Sequence, residues 1–207
     1  MKLLDKFILT SIFTCILVLI ASCDKQENAL AEKKPEKQSC VRTTEMPEKL
    51  RMGNYRAPTP DCVPDATTIN TQELESLISQ SPAPVLIDVL SVMARPNVEF
   101  GESKWLPNKD RLSLPGSIWL PNIGYGYLDD EMQHYFKSQL HALTEGDLAK
   151  PLVFFCIADC WMSWNSVLRA SAHGYENVYW YKNGTDGWAE SGLPVEKIVP
   201  IPFDVKE

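Results

Sequence analysis

The stretch Leu152-Val153-Phe154-Phe155-Cys156-Ile157-Ala158-Asp159-Cys160-Trp161-Met162-Ser163-Trp164-Asn165 decides how this chain folds. Leu152 to Phe155 form an unbroken apolar run, the pattern of a strand buried on both faces inside a parallel sheet. The run ends at Cys156. Ser163 is placed to cap a helix reaching about His173, with Val167, Leu168 and Ala172 inward, and Gly174 stops it. Strand, loop and helix in this order put Cys156 at the carboxyl end of a strand and just before a helix N-terminus. Open α/β sheets bind their ligands there.

Working outward, the same alternation repeats. Thr68-Ile69 reads as a short strand. Asn70 or Thr71 caps a helix whose Leu74, Leu77 and Ile78 share one face, and Pro82 and Pro84 end it. Val85-Leu86-Ile87-Asp88-Val89 is a second buried strand, with Asp88 expected to brace the strand end by accepting backbone N–H bonds. Residues 90–113 form a long polar stretch, read as a solvated loop. The alternative is a lid carrying Arg95, Lys104 or Arg111 over the site. Leu114 to Leu120 turns into another strand. Asp129 starts a helix through Met132, Tyr135, Phe136, Leu140 and Leu143. Val178-Tyr179-Trp180-Tyr181 is a further strand, Gly184 turns, and Asp186-Gly187-Trp188 opens a last short helix. The sum is an α/β domain over residues 66–199, with a central, mostly parallel sheet flanked by helices and right-handed crossovers. Residues 200–207 read as a C-terminal tail.

Composition narrows the function classes. The chain has 207 residues, 44% hydrophobic, with a net charge of −7. That balance gives no basic cluster for phosphates, and nucleic-acid binding is set aside. The N-terminus stands apart from the domain. Lys2 and Lys6 precede an apolar run, Phe7 to Ala21, too short for a comfortable membrane span and typical of a signal segment. Leu19-Ile20-Ala21-Ser22-Cys23 resembles a bacterial lipobox. The resemblance implies removal of residues 1–22, lipidation of Cys23, and a periplasmic protein held to a membrane by lipid. Asp24 after that cysteine resembles the inner-membrane retention signal of enterobacterial lipoproteins. A plain cleaved signal and an uncleaved anchor are the alternatives. Residues 23–65 read as a tether and an irregular, proline-rich N-terminal arm.

Export also sets the redox context, because disulfides persist outside the cytoplasm. With Cys15 in the signal segment and Cys23 lipidated, Cys40, Cys62, Cys156 and Cys160 remain. Their three possible pairings stay open. The simplest joins the short-range pairs, and a Cys40–Cys62 bridge would stabilise the arm by roughly 3 kcal/mol.

Five short motifs carry a family resemblance. Val85 to Val89 resembles the rhodanese "LIDVR" strand, and Leu114-Pro115-Gly116-Ser117 its "IPGA" turn. Phe154-Phe155-Cys156 resembles the strand that delivers the catalytic cysteine. Gly174-Tyr175-Glu176-Asn177-Val178 resembles "GYxNV", and Gly184-Thr185-Asp186-Gly187-Trp188 resembles "GGxxGW". Arg56-Ala57-Pro58, Pro115 to Leu120, Cys156 to Asn165 and Tyr179-Trp180-Tyr181 are similar to a narrower group. These are the PQQ-dependent catabolism-associated CXXCW motif proteins. The resemblance implies a rhodanese-like fold, a thiolate or persulfide at Cys156, and work beside a quinoprotein dehydrogenase or its cytochrome.

The loop departs from the rhodanese pattern. It runs one residue longer, has no Arg or Lys between Ile157 and Val167, and carries Asp159, whose charge opposes an anionic sulfur donor. It adds Cys160. With Cys156 as attacking thiolate and Cys160 as resolving thiol, the pair suits disulfide exchange. With Met162 it makes a Cu(I) donor set. No zinc set is evident, no cofactor of the chain's own is expected, and no PQQ site is legible. Trp161 is a candidate docking or quinone-stacking surface. Ser163 and Asn165 are expected to shape the loop. Three readings stay open: a thiol redox or sulfur-transfer protein, a binding or copper-delivery accessory, and an inactive rhodanese fold kept for interaction.

Overall fold

The structure is a computed structural model describing residues 40, 41, 43, 46–95 and 104–203. The expected signal segment, Cys23 and the tether to residue 39 lie outside the described residues. No helix among the described residues is long and apolar enough to cross a membrane.

The chain runs through β1 (Thr67–Ile69), α1 (Thr71–Ile78), β2 (Val85–Asp88), β3 (Met93–Ala94), β4 (Trp105–Leu106), β5 (Arg111–Ser113) and β6 (Ile118–Trp119). It continues through α2 (Asp130–Thr144), β7 (Leu152–Phe155), α3 (Trp161–Ala172), β8 (Val178–Tyr181), α4 (Gly184–Glu190) and β9 (Glu196–Ile198). The central sheet has five strands in the order β1–β8–β7–β2–β6, and its pairings are all parallel. The anticipated α/β architecture is therefore present. Local chemistry starts the helices. Asn70 Oδ1 accepts from the Glu73 amide at 3.0 Å, while Glu73 returns a carboxylate to the Asn70 amide at 2.8 Å. Asp129 caps α2 through the Met132 amide at 2.8 Å.

Strand side chains alternate between two cores. Val153, Phe155, Tyr179 and Tyr181 face α1 and α4, packing with Leu74, Leu77 and Trp188. Leu152, Phe154, Val178 and Trp180 face α2 and α3, packing with Phe136, Leu140, Trp164 and Val167. Cys156 continues onto this second side, beneath the N-terminus of α3.

Three expectations change. Residues 90–113 are not simply a solvated loop: β3 pairs antiparallel with β4, and β5 pairs antiparallel with β9. Residues 200–203 are not a free tail. The Ile201 amide donates to the Trp119 carbonyl at 2.9 Å, and Phe203 is buried against Trp105 and Tyr135. Helix α3 begins at Trp161, with Cys160 in the cap position assigned to Ser163. Ser163 cannot cap, because its hydroxyl donates back to the Cys160 carbonyl at 3.0 Å and accepts from the Trp180 indole at 2.9 Å.

Candidate functional site: a thiol pair at the head of α3

Parallel pairing with β2 and β8 delivers Cys156 to the carboxyl end of β7. Its carbonyl accepts from the Thr185 amide at 2.9 Å and from the Arg111 guanidinium at 3.3 Å. Behind it, Arg111 Nε donates to Asp88 at 2.7 Å, and Ser113 Oγ donates to the same carboxylate oxygen at 2.7 Å. The other Asp88 oxygen accepts the Leu90 amide at 3.0 Å, the brace anticipated for it. Burial raises the Asp88 carboxyl, and the Arg111 charge pulls it the other way. Arg111 is thus a buried support for the cysteine backbone. A carboxylate inside an apolar strand needs a partner, and that need was the legible signal. The partner's identity was not legible, because it comes from a stretch that reads as polar loop. Gly184 closes the floor: at φ +58°, an added Cβ would sit 2.7 Å from the Cys156 carbonyl oxygen.

Cys156 and Cys160 are unbridged and buried, at 0% and 2% exposure, and their thiols hydrogen-bond each other. Their surroundings act on the two thiols in opposite directions. Burial pushes the Cys156 thiol well up, and the neighbouring Cys160 and Asp88 add to this. Cys160 is lowered to about 7, first by the hydrogen bond from Cys156, then by the Met162 and Ser163 amides and the Arg56 charge, against the effect of burial. The free amides of a helix N-terminus favour an anion. Both influences favour an anion at Cys160 over one at Cys156.

The other candidate residues are held by the N-terminal arm and the facing loop. Asp159, in the left-handed region at φ +51°, spends its carboxylate on the Thr59 amide at 3.2 Å. Trp161 is buried and is no open stacking surface; its indole donates to the Pro58 carbonyl at 3.2 Å. Asn165 accepts from the Arg51 amide at 2.8 Å and donates to the Arg51 and Gly124 carbonyls at 2.9 and 2.8 Å. A Cβ added at Gly124 would run into the Met162 carbonyl and Cβ, so no side chain fits there. Among the described residues no three His, Cys, Asp or Glu side chains gather as a metal group.

Residues of the N-terminal arm complete the site. Tyr55 accepts the Trp161 amide at 2.9 Å, Arg56 pairs antiparallel with Cys160, and the Arg51 guanidinium lies 4.9 Å from the Trp161 ring centre. The arm also carries a Cys40–Cys62 disulfide, with Cα atoms 5.7 Å apart.

A parallel five-stranded sheet with a cysteine at the end of its central strand, facing a helix N-terminus, is the rhodanese arrangement. The rhodanese-like domain model matches residues 70–191, more than half of the chain, and the chain belongs to that family. Among solved structures it is similar to the polysulfide-sulfur transferase homodimer from Wolinella succinogenes, with 19% identity and a TM-score of 0.38. That alignment covers 64% of this chain and 79% of the other. It is also similar to wild-type EanB, at 20% identity and a TM-score of 0.44 over 64% of this chain and 32% of EanB. An EanB variant in complex with ergothioneine gives 19% identity and a TM-score of 0.45, again over 32% of that protein. Comparison with curated proteins gave no match.

Proposed function

We propose that this protein is a thiol–disulfide exchange module built on the rhodanese fold, with Cys160 as nucleophile and Cys156 as resolving thiol. The observation that carries it is the placing of two buried, unbridged cysteines side by side at the head of α3, where the Cys160 thiol is lowered to about 7 and the Cys156 thiol is raised. The Cys160 thiolate attacks one sulfur of an external disulfide, forming a mixed disulfide and expelling the other half as a thiolate that takes up a proton. Cys156 then loses its proton, attacks Cys160 Sγ, and releases the second thiol. Two electrons pass from the pair to the external disulfide, and a Cys156–Cys160 bond remains. The same thiolate would accept sulfur from a persulfide, but the resolving thiol beside it would discharge that sulfur at once. Exchange is therefore the better reading. We place the protein, lipid-anchored through Cys23 on the periplasmic face, beside a quinoprotein oxidation system. Support for that setting is the sequence resemblance at Cys156 to Asn165 and at the lipobox.

The test is incubation with glutathione disulfide followed by peptide mapping. Cys156→Ser should trap glutathione on Cys160, Cys160→Ser should trap little, and the unaltered chain should end with a Cys156–Cys160 bridge. Faster trapping on Cys156 in the Cys160→Ser protein sinks the assignment. Copper retained by the reduced chain through Cys156, Cys160 and Met162, and lost in Cys160→Ala, would put metal delivery in its place.

A further inference from the structure

Both thiols are closed to solvent in this structure, Cys160 at 2% exposure and Cys156 at 0%, so the rate at which either reacts is set by how often the segment packed on them opens. Packed against the loop at Cys160 is a strap, residues 51–62, from outside the matched family region of 70–191. The strap runs antiparallel to the loop at Cys160 and is held by polar contacts: Tyr55 on the Trp161 amide, Pro58 on the Trp161 indole, and Thr59 on Asp159. At its far end the Cys62 carbonyl accepts the Trp164 indole at 3.4 Å. The whole strap falls inside the ring closed by the Cys40–Cys62 disulfide.

From this placement we infer that the strap is a redox-latched gate over Cys160, closed while Cys40 and Cys62 are joined and loosened when they are reduced. Hydrogen bonds to partly exposed groups break locally at less cost than the core, so the strap can lift without global unfolding. The bridge limits what the lifted strap gains in chain entropy and so favours the closed state. A dithiol reductant removes that limit: two electrons and two protons pass to the bridge, Cys40 and Cys62 become thiols, and the dithiol leaves as a disulfide. The freed strap then opens more often, and the nucleophile is uncovered under reducing conditions.

The test is the rate at which iodoacetamide alkylates Cys160 in the full chain, read by peptide mass spectrometry, beside hydrogen exchange of the β7 amides. Relative to the unaltered, oxidised chain, Cys40→Ser/Cys62→Ser should speed alkylation by at least about tenfold while the β7 amides stay protected. Arg51→Ala, which keeps the bridge but loses the contact over Trp161, should speed it by less. Equal rates in all three proteins overturn the gate, as does alkylation that rises only together with β7 exchange. The outcome is separate from the exchange reading. An opened chain that alkylates at Cys160 yet takes no glutathione keeps the gate and removes the exchange function.

Discussion

At Cys160 the neighbouring Cys156 and the amides at the head of α3 both pull the thiol down. The hydrogen bond from Cys156 is the largest cause holding it near 7, and the Met162 and Ser163 amides come after it. Burial acts against the anion at both sulfurs. A Cys156→Ala change removes the donor and leaves the burial. The thiolate is the reactive form, so alkylation of Cys160 should climb with pH about a midpoint near 7 in the parent. In Cys156→Ala the midpoint should move upward, and the rate at pH 7 should fall. A pH profile of alkylation, taken in the Cys40→Ser/Cys62→Ser background so that access does not limit the rate, checks this. An unmoved midpoint would mean that the helix amides alone hold the anion.

Between elements, the site hangs on one buried ion pair. Arg111 on β5 ties Asp88 at the end of β2 to the carbonyl of Cys156 at the end of β7. Asp88 is 0% exposed, so deleting its partner leaves a carboxylate with no counter-charge in the core. Arg111→Leu should therefore cost about 3–5 kcal/mol, measured by urea denaturation. Asp88→Asn/Arg111→Leu together should cost less than the sum of the two single changes, since the double variant leaves no lone charge. Additivity would mean that the two side chains act independently. Helix α3 holds the opposite wall, as Arg169 donates to the Ile123 and Tyr125 carbonyls at 2.6 and 2.8 Å while Asn165 holds Gly124. One helix thus carries Cys160 at its head and fixes the facing loop further along.

At the scale of the whole molecule, an exchange domain tethered by lipid would meet membrane-bound partners rather than freely diffusing ones. Under that reading Cys23→Ser, expressed in a bacterial host, should shift the protein from the detergent phase to the aqueous phase; unchanged partition would discard the anchor. Much of the fold could be read from the chain because its signals are local. The apolar runs at Val85 to Val89 and Leu152 to Phe155, and the caps at Asn70 and Asp129, depend on nearest neighbours along the sequence. The order of elements and the position of Cys156 at a strand end follow from them. The chemistry of the cysteines did not follow. Which thiol ionises depends on burial and on a hydrogen bond between side chains, and these exist only once α3 starts at Trp161 instead of Ser163. Arg111 beneath Cys156 and the strap above Cys160 come from segments that read as polar loop and irregular arm. Spacing along the chain carries no information about where such segments return in space, so only the tertiary structure could place them.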